Sequence, residues 1–181
     1  MEDKEILDKF SQPETQNFAF DELVRKYQQK IYWHIRKMVI DHEDANDITQ
    51  DTFVKIWKSL HSFQGGSQLY TWLYRIATNE CLTFLEKKKR KNMTSIEDLN
   101  MELNQKLDSG YLISGDEVEI KLQKALLTLP DKQRLVFNMK YFDDLSYDEI
   151  AEITNTSVGA LKASYHIATK KIEEFVLKSV I

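Results

Sequence analysis

The 181-residue chain is poor in three residue types, with one cysteine, two prolines and five glycines. The lone Cys81 forms no disulfide within the chain, which is typical of proteins in a reducing compartment. No run approaches the ~18 apolar residues of a membrane-spanning helix, and the acidic start MEDKEILDKF does not resemble a secretory signal. Because proline and glycine interrupt helices, their scarcity favours long helices over a β-rich fold. We therefore expect a cytoplasmic, helical protein.

The residues also lack the patterns of an enzyme. Cys81 belongs to an apolar helical stripe with Leu73, Ala77 and Leu85, so a core thiol is expected rather than a nucleophile. No glycine-rich nucleotide loop is found. The four histidines have no spacing typical of metal ligands (His34, His42, His61 and His166). We predict a non-enzymatic protein with no cofactor and no metal.

Charge is distributed unevenly along the chain, although its net value is only −4. Residues 18–91 contain 13 basic against 9 acidic residues, whereas residues 92–120 contain one lysine against seven acidic residues. An acidic chain, with a pI near 5.6, is unusual for a protein that binds nucleic acid by charge alone. Either DNA is not its main partner, or a second macromolecule supplies most of the phosphate contacts.

Helical periodicity extends over most of the sequence. Apolar residues at helical spacing predict helices over Phe20–Met38, Asp44–Leu60 and Leu69–Lys89. A last helical group starts near Glu117 and is interrupted at Pro130. The fold class is therefore all-α.

The pattern disappears over residues 92–116, which are polar and acidic. We predict two small helical domains, 1–91 and 117–181, joined by this segment as a flexible acidic linker.

The C-terminal part has the signals of a helix-turn-helix. Ser146 with Glu149 forms a capping box, Asn155 tolerates a left-handed turn, and Ser157 starts a longer helix. The inner stripe of that helix is apolar (Leu161, Tyr165, Ala168 and Ile172). A second helix held across a first by a tight turn fits the major groove, although an ordinary helical hairpin has the same signals.

Cations, polar groups and one exposed isoleucine occupy the opposite face of that second helix. Lysines suit phosphates, His166 and Thr169 suit base edges, and Ile167 suits a thymine methyl. The predicted DNA-facing set is Lys162, Ala163, His166, Ile167, Thr169 and Lys170.

An acidic strip follows one face of the second predicted helix, opposite its apolar residues. It consists of Asp44, Asp47, Gln50 and Asp51. On charge alone, such a strip is most often only a solvated face. The sharper interpretation is a docking surface for a basic protein, since charge complementarity sets register and association rate.

The third predicted helix shows Trp72, Arg75 and Asn79 on its outer face. A tryptophan beside polar groups is typical of a stacking platform for exposed bases. It is preceded by the glycine loop Gly65-Gly66-Ser67-Gln68, which either holds a flipped base or simply reverses the chain.

Five consecutive basic residues, the basic run, end the same helix (Lys87, Lys88, Lys89, Arg90 and Lys91). Cations at a helix C-terminus also interact favourably with the helix dipole. Five exceed what that interaction requires, so phosphate binding is expected, with Lys87, Lys88 and Arg90 as candidates.

Three stretches together resemble the extracytoplasmic-function (group IV) sigma factors of bacterial RNA polymerase. They are Asp41–Phe63, Phe63–Lys91 and Leu129–Ile172, and FDELVRKYQQKIY near the N-terminus fits the same family. The match covers nearly the whole chain, with its motifs in the family's order.

The resemblance implies roles for the surfaces already described. The acidic strip would dock on the coiled-coil clamp of the largest subunit of core RNA polymerase, with further contacts at the flap region. Trp72, Arg75, Asn79 and the glycine loop would hold the separated non-template strand of the −10 element. The helix from Lys162 to Lys170 would read the −35 element. An anti-sigma factor is an expected further partner.

Two departures from the family pattern affect specificity. Ser164, Ile167 and Thr169 stand where relatives often have arginines along the recognition helix, and Gly66 stands where an acidic residue is common. Two other classes stay open: a stand-alone, dimeric helix-turn-helix regulator of duplex DNA, and a helical adaptor that binds only proteins.

Overall fold

The structure, a computed structural model, describes residues 1–91, 101, 104–105 and 117–178. Over these residues it is helical and contains no strand, which confirms the all-α class. Nearly all of the predicted linker, residues 92–116, lies outside the described residues. The helices are α1 (Asp3–Phe10), α2 (Gln16–Val39), α3 (His42–Ser59), α4 (Leu69–Lys91), α5 (Glu117–Leu127), α6 (Asp131–Tyr141), α7 (Tyr147–Thr154) and α8 (Val158–Lys178).

Helix α3 begins two residues earlier than predicted because Asp41 caps it. The Asp41 carboxylate accepts a hydrogen bond of 3.0 Å from the backbone N–H of Asp44, which satisfies one of the free donors at the helix start. Helix α1 was not predicted from the sequence. It is held by burial of Ile6 and Phe10, four residues apart and therefore on one face.

The N-terminal helices pack around α2. Leu23, Ile31, Ile35 and Met38 of α2 are buried and meet apolar side chains of α1, α3 and α4. An aromatic cluster joins α1 to α3, where Trp57 lies edge-on to Phe10, with ring centroids 5.4 Å apart. This packing leaves the face of α3 that carries the acidic strip open to solvent, whereas the face of α4 that carries the predicted base platform lies partly against the helix Tyr147–Thr154.

The C-terminal helices form the predicted helix-turn-helix. The Ser146 hydroxyl accepts from the Glu149 N–H at 3.2 Å, and the Glu149 carboxylate accepts from the Ser146 N–H at 2.6 Å. Asn155 takes the left-handed conformation, with φ 51° and ψ 46°. The Ser157 hydroxyl accepts from the Ala160 N–H at 3.3 Å at the start of α8. Local sequence signals therefore fix this motif.

The two halves of the chain share an apolar core, which the sequence did not predict. Helix α6 packs on α2, and α7 packs on α4. Met139, Ile150 and Ile153 of the C-terminal half are buried in the same cluster as the α2 and α4 side chains. The buried Arg134 guanidinium donates to the Met38 carbonyl at 3.1 Å. It thereby supplies a donor to one of the carbonyls that the end of α2 leaves unpaired.

Within the described residues, no helix is both long and apolar enough to cross a membrane. The same part of the chain contains no group of three or more histidine, cysteine or acidic residues placed to hold a metal ion.

The capping box yields a stability prediction. Ser146→Ala removes the side-chain acceptor at the start of α7, and we expect unfolding free energy to fall by about 1 kcal/mol. Urea denaturation followed by circular dichroism measures this. Ser11→Ala is the matched control, because the Ser11 hydroxyl donates only to the Asp8 carbonyl on the surface. Equal effects of the two substitutions would contradict the role of the box.

Candidate nucleic-acid and protein interfaces

The acidic strip lies on the solvent side of α3. Asp47, Gln50 and Asp51 are exposed, while Asp44 is partly covered. The Lys88 ammonium at the end of α4 lies 3.0 Å from an Asp44 carboxylate oxygen. Val54 adds an exposed apolar group to the same face. The strip is thus a negative surface with an apolar contact, and one of its carboxylates is already paired.

The glycine loop connects a short 3-10 turn (Leu60–Ser62) to α4. Gly65 has a φ of +72°, a conformation that residues with side chains rarely adopt, so glycine is favoured there and a substitution would be strained. A Cβ added at Gly66 meets no atom within 4 Å. The loop is therefore open, and the space beside Gly66 is available to a ligand or to a longer side chain.

The three residues of the predicted base platform differ in exposure. Trp72 is only half-exposed, because its ring packs against Phe63 with centroids 5.4 Å apart. Arg75 and Asn79 are exposed. The sequence predicted Trp72 on the outer face; the structure shows its indole packed against Phe63, because the chain folds back through the glycine loop. A ring held this way keeps a fixed orientation.

Arg75 and Asn79 also face the C-terminal half. The Arg75 Nε donates to the Glu152 carbonyl at 3.1 Å. Asn79 lines a cavity of about 170 Å³ together with Thr154 and Ser164. These two candidate DNA contacts therefore lie at the junction between the halves.

The basic run is partly neutralised within the molecule. Lys88 pairs with Asp44, and Lys89 pairs with Asp131 at the start of α6. Lys87, Arg90 and Lys91 are exposed. Of the three predicted phosphate contacts, Lys87 and Arg90 are thus accessible, and Lys88 is engaged.

Helix α8 presents the predicted face to solvent. Lys162, Ala163, His166 and Lys170 are exposed, and Ile167 is 43% exposed despite being apolar. The inner stripe is buried as predicted at Leu161, Ala168 and Ile172, with Tyr165 partly buried. The geometry is that of a helix held with one free face.

Two residues of the predicted DNA-reading helix are less available. The Thr169 hydroxyl donates to the Tyr165 carbonyl of its own helix at 2.9 Å, and Ser164 is half-buried beside the cavity. Their positions near the inner stripe explain this, since both lie at the edge of the exposed face.

Cys81 has the predicted structural role. It is 1% exposed, and burial raises the pKa of its thiol to about 12, so the reactive thiolate is not formed at neutral pH.

Comparison with known proteins shows the family to which the chain belongs. The family model for sigma-70 region 2 matches residues 23–91, and the model for sigma-70 region 4 matches residues 119–172. The chain is 36% identical over 157 residues to the ECF RNA polymerase sigma factor SigW of Bacillus subtilis, covering 82% of this chain and 83% of the relative. The chain belongs to the ECF sigma factors.

Two other sigma factors are also similar to this chain over most of its length. The RNA polymerase sigma-H factor of Pseudomonas aeruginosa is 31% identical over 166 residues, covering 86% of this sigma factor and 85% of the relative. The ECF RNA polymerase sigma-E factor of Escherichia coli is 31% identical over 166 residues, covering 87% and 86% of the two chains.

Two solved structures have a similar fold. The sigma factor RpoE of Bartonella quintana, in complex with the anti-sigma factor NepR, aligns with a TM-score of 0.67 at 23% identity, covering 87% of this chain and 96% of that one. CnrH, in complex with the cytosolic domain of CnrY, aligns with a TM-score of 0.63 at 22% identity, covering 88% of both chains.

As an ECF sigma factor, the protein binds core RNA polymerase and directs it to promoter DNA for transcription initiation. This agrees with the sequence-based prediction and disfavours the stand-alone regulator.

Sequence reasoning missed the residues that join the halves. Tyr70 donates to the Glu149 carboxylate, and Arg134 donates to the Met38 carbonyl. The available signal for Arg134 was its position directly before the apolar residues Leu135, Val136 and Phe137, because a buried guanidinium needs acceptors that a distant segment must supply.

Proposed function

We propose that the sigma factor uses three separate surfaces. The acidic strip of α3 docks on core polymerase, the glycine loop with α4 holds melted bases of the −10 element, and α8 reads the −35 element. The observation that carries this proposal is the presence of three chemically distinct faces: an exposed acidic one, an exposed basic one, and an aromatic and polar one on which Arg75 and Asn79 are exposed and Trp72 is half-buried. We assign residues 1–91 and 117–181 to two domains with 92–116 as linker.

The acidic strip suits a basic protein surface better than DNA. Asp47 and Asp51 are exposed carboxylates that repel phosphates, and they attract lysines or arginines. Val54 beside them provides apolar contact area at the centre of such an interface. The coiled-coil clamp of the largest polymerase subunit is the proposed partner, with the flap region as a second contact.

In this proposal the −10 element melts because the sigma factor binds bases outside the duplex more tightly than bases within it. A base in the duplex is stacked on its neighbours, so it contacts the Trp72 indole only after it leaves the duplex. Phe63 holds that indole in place, so little side-chain entropy is lost on stacking. Arg75 and Asn79 then supply donors to the displaced strand.

Duplex reading is assigned to α8. Lys162 and Lys170 would neutralise phosphates, His166 would meet a base edge, and Ile167 would contact a thymine methyl. Thr169 is a weaker candidate because its hydroxyl already bonds within the helix. No arginine is present at Ser164, Ile167 or Thr169, so bidentate reading of guanine from these positions is not expected.

Three further properties complete the proposal. The sigma factor acts as a binding subunit without catalytic activity of its own. It works in the cytoplasm, where the polymerase and the promoter are. An anti-sigma factor controls it, in line with the similar fold of two chains solved in complexes, one with the anti-sigma factor NepR and one with the cytosolic domain of CnrY.

The overall proposal is tested by gel filtration of the purified protein with bacterial core RNA polymerase at physiological salt without DNA. We expect a stoichiometric complex. A folded, monomeric sample that forms no complex would contradict the docking role.

Charge reversal tests the acidic strip. Asp47→Lys with Asp51→Lys is expected to weaken binding to core polymerase by about tenfold or more, because like charges then meet across the interface. Fluorescence anisotropy with labelled core measures the affinity. Asp8→Lys with Asp21→Lys is the matched control, since these carboxylates are exposed on α1 and α2. Unchanged affinity of the strip variant would make the strip a solvated face.

Removal of the indole tests the platform. Trp72→Ala should leave core binding intact and reduce open-complex formation roughly tenfold to a hundredfold, since stacking on an aromatic ring contributes ~1–3 kcal/mol per base. Permanganate footprinting of unpaired thymines detects the open complex. Trp33→Ala, which removes a 46% exposed tryptophan from α2, is the control. Normal melting by the Trp72 variant would remove its proposed role.

Alanine at Lys162 and Lys170 tests α8. We expect weaker promoter binding by the holoenzyme, and a salt dependence whose slope falls by about 1 for each lysine removed. Filter binding to a duplex promoter over a salt series measures both quantities. Lys178→Ala, at the exposed end of the same helix, is the control. A slope identical to that of the unchanged protein would exclude the phosphate contacts.

A further inference from the structure

A cavity of about 550 Å³ lies between α2, the start of α4 and the turn that follows α6. Small-molecule sites in proteins typically occupy roughly 300–1,000 Å³, so the cavity is large enough for one such ligand. Over the described residues, its lining includes five aromatic side chains, and three lysines against the single carboxylate of Asp143. The cavity is therefore both aromatic and positively charged, and its lining contains none of the residues assigned above to polymerase or promoter contacts.

The three lysines and a tryptophan lie on one face of α2. Lys26, Lys30, Trp33 and Lys37 follow one another at intervals of four, three and four residues, which is the spacing of a single helical face. Like charges four residues apart, such as those of Lys26 and Lys30, repel each other and slightly destabilise a helix. This repulsion is relieved when an anion with several charges lies beside the two ammonium groups.

The lysines differ in the partners that they already have. Lys37 is paired with Asp143, and the Lys26 ammonium lies 2.7 Å from an Asp3 carboxylate oxygen. The Lys26 and Asp3 side chains are 35% and 33% exposed, so a phosphate replaces this carboxylate at little cost. Lys30 is exposed and forms no ion pair within the part of the chain that the structure describes. Two ammonium groups, those of Lys30 and Lys26, are therefore available to an anion.

Trp33 provides a flat apolar surface beside these cations. Its side chain is 46% exposed, and it is one of the large apolar groups that the fold leaves in contact with solvent. Tyr32 packs edge-on against the indole, with ring centroids 5.3 Å apart, which restricts its orientation. Tyr27 and Tyr74 line the same cavity and are buried. A planar ring therefore stacks on the Trp33 indole at a small cost in side-chain entropy.

We propose that this cavity binds a free nucleotide with two or more phosphates, whose base stacks on Trp33 and whose phosphates pair with Lys30 and Lys26. A simple anion would leave the indole unused, and an uncharged nucleoside would leave the lysines unpaired. Lys30 is one helical turn from Trp33, whereas Lys26 is seven residues away, roughly 10 Å along the helix axis. A single phosphate reaches Lys30, and a longer phosphate chain is needed to reach Lys26.

A free nucleotide fits better than a long single strand. Phe142 and Leu145, on either side of the turn after α6, line the cavity opposite α2 and bound the space for a continuing chain. The inference adds a small-molecule ligand to a protein whose proposed surfaces all bind macromolecules.

Isothermal titration calorimetry of the purified full chain tests the site, with ATP as the probe in magnesium-free buffer at physiological salt. Adenosine and inorganic tripolyphosphate are titrated separately, because they carry only the base or only the phosphates. We expect ATP to bind at one site per chain, about tenfold or more tightly than either, since stacking and charge then act together. Equal affinities for ATP and tripolyphosphate would show binding by charge alone and would overturn the proposal.

Two substitutions locate the site on α2. Lys30→Ala and Trp33→Ala should each weaken ATP binding about tenfold, and both side chains are exposed, so the apolar core is left intact. Lys58→Ala is the matched control, because it removes an exposed lysine of α3 outside the cavity and should leave the affinity unchanged. Unchanged helicity by circular dichroism shows that the variants are folded. Unchanged ATP affinity in both α2 variants would overturn the proposal.

Trp72→Ala distinguishes the cavity from the proposed base platform on α4. ATP in the cavity is unaffected by this substitution, so loss of binding in Trp72→Ala with none in Trp33→Ala would overturn the cavity site. A random-sequence single-stranded DNA pool, added to the Trp72→Ala protein at equal phosphate concentration, tests the form of the ligand. Displacement of ATP by the pool would overturn the assignment to a free nucleotide.

The outcome is independent of the proposed promoter functions. Core binding and open-complex formation are measured without added nucleotide, so failure of the cavity site leaves both unchanged. For the same reason, Trp33→Ala stays suitable as the control in the melting experiment.

Discussion

The burial of α2 is the constraint on which the other helices depend. This 24-residue helix is roughly 36 Å long at 1.5 Å per residue, and it contacts α1, α3, α4 and α6. The carbonyls of its last turn lack N–H donors from within the helix, and side chains of α6 supply them. Arg134 donates to the Met38 carbonyl at 3.1 Å, and Asn138 donates to the Lys37 carbonyl at 3.5 Å. The N-terminal helices are therefore completed by a helix from the C-terminal half.

Local structure was predictable from the sequence where a few adjacent residues determine it. The capping box at Ser146 and the left-handed Asn155 need no information from distant segments, and both were predicted correctly. The buried stripe of α8 follows from helical spacing in the same way. Helix α1 was missed, because two buried residues in eight give too short a pattern to distinguish from chance.

Distant contacts were not predictable in the same way. The sequence indicated that Lys88 and Lys89 are cationic, but not that Asp44 and Asp131 approach them. It indicated an aromatic at Trp72, but not that the Phe63 ring packs against it at a tilt. Such contacts depend on how whole helices pack, and helical periodicity determines which side of a helix is buried without specifying its neighbour.

The pair of Asp44 and Lys88 has a consequence for the order of events during initiation. The Lys88 and Asp44 side chains are 18% and 27% exposed, so solvent reaches both members of the pair. A pair that solvent reaches contributes little to stability, about 1 kcal/mol, so a stronger partner replaces either member readily. If polymerase takes up the Asp44 carboxylate, the Lys88 ammonium is released toward phosphates, and phosphate binding at Lys88 would in turn free Asp44. Two binding events on one small domain would then favour each other by equal free energies, as thermodynamic linkage requires. Under this linkage the sigma factor would bind DNA more tightly in the complex with polymerase than in isolation.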